Sequence, residues 1–169
     1  MAVHEDYDYQ ILRLSDKFYQ NYPNPPFAEI LKKPQRAYDC LLLQTHYNYY
    51  ICVPYRTEIT HSYAYHFRKS ARSRKHHLGL DYSKLVIIDK PEYIEDKIVI
   101  IDHDEYIETV VNMDRIRREA CEYVESYCRH ITGEKKMHVS EFQRRYRYSP
   151  LKYFHKELGL EVVKSAVLC

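Results

Sequence analysis

The chain has 169 residues, 45% hydrophobic and 30% charged, which is the size and composition of one soluble globular domain over 1–169. No apolar run approaches the roughly 20 residues of a membrane-spanning helix. Residues 1–6 lack the basic start and apolar core of a signal peptide, and three glycines are too few for a Gly-rich phosphate loop.

Tyr9, Ile11, Leu12 and Leu14 predict an opening strand. Ser15 starts a short turn or helix running to Tyr22, and Pro23, Pro25 and Pro26 break it. Pro26 suits the first position of a short helix over 27–33, stopped by Pro34. Residues 37–43 and 49–56 predict two strands of a hairpin joined through 44–48. Their consecutive apolar positions, Leu41-Leu42-Leu43 and Ile51-Cys52-Val53, predict strands covered on both faces, as in a sheet curled on itself. Residues 57–83 read as irregular and basic. The β-branched stretches 84–89 and 97–101 predict two more short strands, connected at Pro91.

Residues 104–111 predict a short helix. The clearest element follows: Ile116, Ala120, Tyr123, Val124, Tyr127 and Ile131 recur at helical spacing, with Gly133 placed to stop the helix. Ser140-Glu141-Phe142-Gln143 fits a capping box. Ser149-Pro150 reads as a helix start, with Leu151, Phe154 and Leu158 on one face and Gly159 at the end. Residues 161–163 return as an edge strand. The predicted class is α+β, with a compact, strongly bent, partly barrel-like antiparallel sheet early and packed helices late.

The net charge of +2 hides an uneven distribution. Residues 34–84 hold eight bases against three acids, residues 85–112 two against eight, and residues 113–169 twelve against eight. Two basic regions of this kind can form a surface for a polyanion, or leave the protein merely dipolar. The five cysteines, Cys40, Cys52, Cys121, Cys128 and Cys169, include no CxxC pair and read as reduced thiols of a cytosolic protein. No segment has the ligand spacing of a zinc site. The 19 Tyr, with no Trp, supply packing area, base-stacking faces and hydroxyls alike.

Chemistry concentrates after the strand that ends near Pro54. Arg56 can clamp a phosphate through parallel hydrogen bonds, Thr57 can donate to a phosphate oxygen, and His61 is a candidate proton carrier near neutral pH. The alternative is a loop satisfied by its own hydroxyls, with Arg56 paired to Glu58. The run from Arg68 to His77 sets five fixed charges, Arg68, Lys69, Arg72, Arg74 and Lys75, just after Tyr63, Tyr65 and Phe67. Such a run binds RNA phosphates beside rings that stack unpaired bases, or pairs with the acidic stretch 85–112. Glu141, Arg144, Arg145, Arg147, Lys152 and Lys156 form a charged helix surface. Asp102, Asp104 and Glu105 suggest a metal site or a helix N-terminus, where carboxylates oppose the dipole.

The order Gln35-Arg36-Ala37-Tyr38, an apolar strand, Val53-Pro54-Tyr55-Arg56-Thr57, His61, Ala64, then Gly79-Leu80-Asp81-Tyr82-Ser83-Lys84-Leu85-Val86-Ile87-Ile88 resembles the toxins of bacterial type III toxin–antitoxin systems. The pattern is closest to the TenpN and CptN branches and more distant from ToxN and AbiQ, and it covers roughly residues 12–130. The resemblance implies a bent antiparallel sheet similar to those of the MazF and Kid toxins. It implies a metal-independent endoribonuclease without cofactor. The enzyme cuts its antitoxin, a small structured RNA of pseudoknot type, from a repetitive precursor. It stays bound to that RNA in a closed toxin–RNA assembly. Free toxin cuts cellular RNA and can abort phage infection. In the ToxN branch a Ser near the strand end and a Lys before the preceding strand are active-site residues; Thr57 and Arg36 stand there in this chain. Thr keeps the hydroxyl, whereas Arg keeps the charge but cannot give up a proton. A second Lys of the family has no match, since Ile59 occupies its place, and an early Tyr of the family falls near Phe18 or Tyr19.

The expected reaction is attack of the RNA 2′-hydroxyl on the adjacent phosphorus, leaving a 2′,3′-cyclic phosphate. Arg56 and Arg36 would meet the phosphate charge, Thr57 would hydrogen-bond the scissile phosphate, His61 would transfer a proton, and Lys84 is a further cation. The rival reading is a non-catalytic RNA-binding module that uses the same basic loop and tyrosines.

Overall fold

A computed structural model describes residues 9–32, 38–95, 97 and 99–160. The strands are β1 (Tyr9–Arg13), β2 (Asp39–Gln44), β3 (Tyr50–Arg56), β4 (Ala64–His66), β5 (Gly79–Asp81) and β6 (Val86–Ile88). The helices are α1 (Asp16–Asn21), α2 (Ala71–Lys75), α3 (His103–Val111), α4 (Met113–Thr132) and α5 (Val139–Tyr146). All pairings are antiparallel, in the order β1-β2-β3-β5-β4, and β6 also pairs with β3. The protein is therefore α+β. Among the described residues the sheet is open, because β1 and β4 form edges that do not pair with each other, so these strands do not close into a barrel.

β3 organises the molecule. One edge pairs with β2 through Tyr50 to Pro54. The other edge is shared: β6 takes Tyr50 to Cys52, and β5 takes Tyr55 and Arg56. The break falls at Val53-Pro54, opposite the 3-10 turn Tyr82–Lys84 that joins β5 to β6. An interrupted ladder is where a central strand tolerates a proline, which has no N–H to give. Cys40 to Leu43 and Ile51 to Pro54 are all buried, as their unbroken apolar runs predict. Toward one face, the Tyr55 hydroxyl meets Thr109 of α3 at 3.1 Å. Tyr19 of α1 lies beside Cys40 and Cys52.

α4 packs Ile116, Ala120, Tyr123, Val124 and Tyr127 inward and ends at Gly133, whose φ of 81° is cheap only for glycine. Ile131, expected on the same stripe, is 38% exposed: it lies past the core that the stripe covers. The tyrosine surplus goes largely into packing, with hydroxyls satisfied. Tyr82 donates to Glu119 at 2.9 Å, Tyr123 to the Arg145 carbonyl at 2.7 Å, and Tyr146 to the Tyr123 carbonyl at 2.7 Å. A buried hydroxyl without a partner would cost about 1–3 kcal/mol.

Several elements differ from expectation. Residues 27–32 form turns rather than a helix. So short a segment cannot offset helix nucleation, and Phe27 instead packs edge-on against Tyr22 and Tyr153. No strand forms at 97 or 99–101: β-branched residues there find no partner, and Ile100 is 86% exposed. The stretch 57–83 is not irregular but contains β4, α2 and β5. α5 is capped by His138, whose ring accepts from the Ser140 N–H, so Ser140 lies inside the helix. Ser149 does cap a helical turn, Pro150–Tyr153, but of 3-10 type and one turn long. The predicted strand at 161–163 and Cys169 lie outside the described residues. Cys40, Cys52, Cys121 and Cys128 are free thiols. No helix among the described residues is long and apolar enough to cross a membrane.

Gly79 fixes the junction that presents Arg56. It pairs with Arg56 on one side and His66 on the other. A Cβ there would lie 2.3 Å from the Tyr65 carbonyl oxygen and 3.2 Å from Ile59 Cδ1. Since the close neighbour is backbone, Gly79→Ala should cost about 1–3 kcal/mol in a urea melt. An unchanged midpoint would mean that β4 and β5 separate freely.

Candidate functional site

The end of β3 meets the end of β5. Arg56 sits at the last position of β3, and Asp81, fully buried, at the last position of β5. The Arg56 guanidinium donates from Nη1 to Asp81 Oδ2 at 2.5 Å. The other carboxylate oxygen accepts from the Ser83 N–H at 3.0 Å and the Ser83 hydroxyl at 2.6 Å, an Asx turn that opens the 3-10 turn. His61 Nε2 approaches the same oxygen at 3.3 Å and the Ser83 hydroxyl at 3.2 Å. Burial opposes charge on Asp81, but the hydrogen bonds from His61 and Ser83, the His61 charge and Arg56 outweigh it and hold its carboxyl below the usual range. Arg56 is thus paired to Asp81, not to Glu58.

His61 is held from both sides. Its Nδ1 accepts the Tyr63 N–H at 3.2 Å, which assigns the ring proton of the neutral form to Nε2, facing Asp81. Its carbonyl is met by His66 Nε2 at 2.8 Å. The loop from Thr57 to Tyr63 is pinned to the C-terminal end of α2, where the Glu58 N–H reaches the His76 carbonyl at 2.7 Å and the Ile59 N–H reaches that of His77 at 3.1 Å. Glu58 and His77 both have left-handed backbone, with φ of 56° and 48°, a conformation that costs a residue with a Cβ about 1–2 kcal/mol. Thr57, the first residue past β3, is exposed.

Lys84 closes the turn from below. Its ammonium donates to the Tyr148 carbonyl at 2.7 Å and reaches the Glu29 carbonyl at 3.4 Å. Burial, and then the nearby Arg56 cation, push the Lys84 pKa below its ordinary value, against the pull of Asp81 and Glu29. Arg145 lies over the Tyr63 ring at 5.5 Å, and that ring is 6.0 Å from His61. Lys152 pairs with Glu29 at 2.7 Å. The structure therefore joins Arg56, His61, Tyr63 and Lys84 with Arg145, Tyr148 and Lys152, which come from far along the chain.

The basic run is anchored differently. Glu108 of α3, buried, accepts the backbone N–H of Arg68 at 3.0 and 3.2 Å and that of Lys69 at 3.2 Å. Arg72 faces Asp102 and Glu105 at 3.9 and 3.7 Å, and Arg74 donates to the Arg68 carbonyl at 2.6 Å. Part of the run is thus turned toward the acidic stretch, although Arg68, Lys69, Arg72, Arg74 and Lys75 are all exposed. Tyr65 is only 6% exposed, with its hydroxyl on Glu108 at 3.3 Å and Arg115 over its ring, so its face is not open to a base. Tyr63 is half-buried. Asp102 caps α3 through the N–H groups of Asp104 and Glu105. Arg36 lies outside the described residues. Phe18 and Tyr19 are both core residues of α1.

Sequence reasoning gave no role to Asp81, Ser83, Glu108 or Tyr148. Asp81 carried a signal: it is the single acid between Glu58 and Asp89, two residues before a Ser. Among the described residues no group of three or more His, Cys, Asp or Glu is arranged to hold a metal ion. A cavity of about 300 Å³ lies at the other end of β3, between the β2–β3 turn and α4, lined by Tyr47, Tyr49, Arg117 and Cys121 among others. Comparison with protein-family models, with curated proteins and with solved structures finds no match to the chain.

Proposed function

We propose that the protein is a metal-independent endoribonuclease that acts as the toxin of a type III toxin–antitoxin system, on a bent sheet of MazF and Kid type. The observation that carries the nuclease reading is the convergence at the end of β3: the Arg56 guanidinium pairs with the buried Asp81, and the half-buried Lys84 ammonium lies near enough to feel the charge of both. Cationic side chains on Arg145, Arg147 and Lys152 extend the surface around them. The resemblance of residues 53–57, 61 and 79–88 supports the toxin reading. Its partners are then a repetitive, structured antitoxin RNA and the cellular RNAs that the free toxin cuts.

RNA brings its own nucleophile. The 2′-oxygen forms a bond to phosphorus, the bond from phosphorus to the 5′-oxygen breaks, the 2′-hydroxyl proton passes to solvent water and one proton is delivered to the departing oxygen. Arg56 offsets the charge that develops on the phosphorane oxygens. The Thr57 hydroxyl donates to a non-bridging oxygen. Lys84 delivers the proton to the leaving group; its depressed pKa makes that proton easier to give at cellular pH. Asp81 does not touch the RNA. It aims Arg56 and holds His61.

Purified protein incubated with a defined RNA in EDTA should release fragments ending in 2′,3′-cyclic phosphate. Thr57→Ala should lose activity, while Thr57→Ser, which keeps the hydroxyl, should retain most of it. Retention of RNA without cleavage would replace the nuclease by a binding module, and neither binding nor cleavage would remove RNA from the account.

A further inference from the structure

Tyr148 is 61% exposed, in the segment between α5 and the Ser149-capped turn, and follows the buried Tyr146 by two residues. Its ring is flanked by two cations: Lys84 Nζ lies 5.9 Å and Arg147 Cζ 5.2 Å from the ring centroid. Lys84 is also tied to the Tyr148 backbone, by the 2.7 Å hydrogen bond to its carbonyl. That bond ties the Tyr148 backbone to the 3-10 turn that follows Asp81. Tyr47, which is also widely exposed, already stacks on Tyr49 at 5.5 Å and 6°. Tyr148 makes no such ring stack among the described residues and keeps more than half of its surface exposed, with two cations beside it.

We propose that Tyr148 is a stacking platform for an unpaired base, with Lys84 and Arg147 receiving the flanking phosphates, so that the site takes single-stranded rather than duplex RNA. The proposal rests on the RNA reading above. A base in a duplex has both faces covered by its neighbours and gains nothing from a protein ring, whereas an unpaired base stacks on it. The two cations next to the ring add the sequence-independent attraction that a nucleic acid backbone supplies and a neutral ligand does not.

The test uses a fluorescently labelled single-stranded RNA of about 10 nucleotides and the corresponding duplex, titrated with the full chain over a range of salt. Tyr148→Ala should weaken single-strand binding about tenfold or more. It should leave the salt slope and the duplex affinity unchanged, because the Lys84 hydrogen bond is to backbone and survives. Tyr148→Phe should bind like wild type. Arg147→Gln should flatten the slope of log affinity against log salt by about 0.7. Wild-type affinity in Tyr148→Ala, or an equal loss on the duplex, would overturn the platform. Tyr148-dependent binding without cleavage in EDTA would sink the nuclease and keep the platform. Cleavage that ignores Tyr148 would do the reverse, and wild-type protein that binds no RNA would sink both.

Discussion

Asp81→Asn is expected to destabilise the fold by about 3 kcal/mol at neutral pH and to abolish RNA cleavage. The amide keeps the shape of the carboxylate but cannot accept charge-assisted bonds from Arg56, His61 and the two Ser83 donors at once. It leaves the Arg56 guanidinium, only 27% exposed at its side chain, without its counter-ion. That is a large fraction of the roughly 5–15 kcal/mol of a typical domain. Linkage gives the effect a pH signature. Asp81 has a folded pKa below its ordinary value of 3.8, so its contribution is present above that value and is lost as pH falls through the lower, folded one. Wild type and variant should therefore differ most at pH 7 and converge as acid protonates Asp81. Urea melts of both proteins at neutral and acid pH measure this directly. A gap under about 0.5 kcal/mol at pH 7, or one that does not narrow in acid, would show that the cluster at the end of β3 is not held by this carboxylate.

What the sequence disclosed and what it hid follow from how far apart the interacting groups lie. β2, β3 and α4 are legible because the signal is local: unbroken apolar runs in the strands and a 3.6-residue stripe from Ile116 to Tyr127. β4 and β5 are three residues long, too short for a period to register. β5 exists because the far end of β3 offers an edge at Tyr55 and Arg56, 23 to 25 positions back in the chain, and β4 exists because β5 then offers its other edge, 13 to 17 positions further on. The converse error at 97–101 has the same root, since β-propensity without an available edge makes no strand. The site divides likewise. Arg56, Thr57 and His61 follow directly from the strand end. The Arg56–Asp81 pair spans 25 positions, and the Lys84–Tyr148 contact spans 64. Those pairings decide the chemistry, because they turn Arg56 from a free clamp into an aimed one and His61 from a free imidazole into one bonded at both nitrogens.

His61→Gln is expected to cleave RNA at close to the wild-type rate, whereas Lys84→Arg should fall by about 10²–10⁴-fold while still binding RNA. The His61 ring uses Nδ1 to accept the Tyr63 N–H and Nε2 to face Asp81 and Ser83, which leaves neither nitrogen for a substrate proton without breaking the loop. Glutamine offers an acceptor and a donor of similar reach, so a positioning role survives the change. Lys84 spends hydrogen bonds on the Tyr148 and Glu29 carbonyls and carries three donors, so one remains for the departing oxygen. Arginine there keeps the positive charge but does not give up a proton. Single-turnover cleavage in EDTA as a function of pH separates the two assignments. With Lys84 as the acid, the rate should decline on the alkaline side, through a pKa below the ordinary lysine value of 10.5 because of burial and the Arg56 cation. That decline should be missing from the residual activity of Lys84→Arg. If His61→Gln is instead the crippled enzyme, and it removes a limb of the profile near neutral pH, the proton belongs to the imidazole. The loop from Thr57 to Tyr63 must then open when RNA binds.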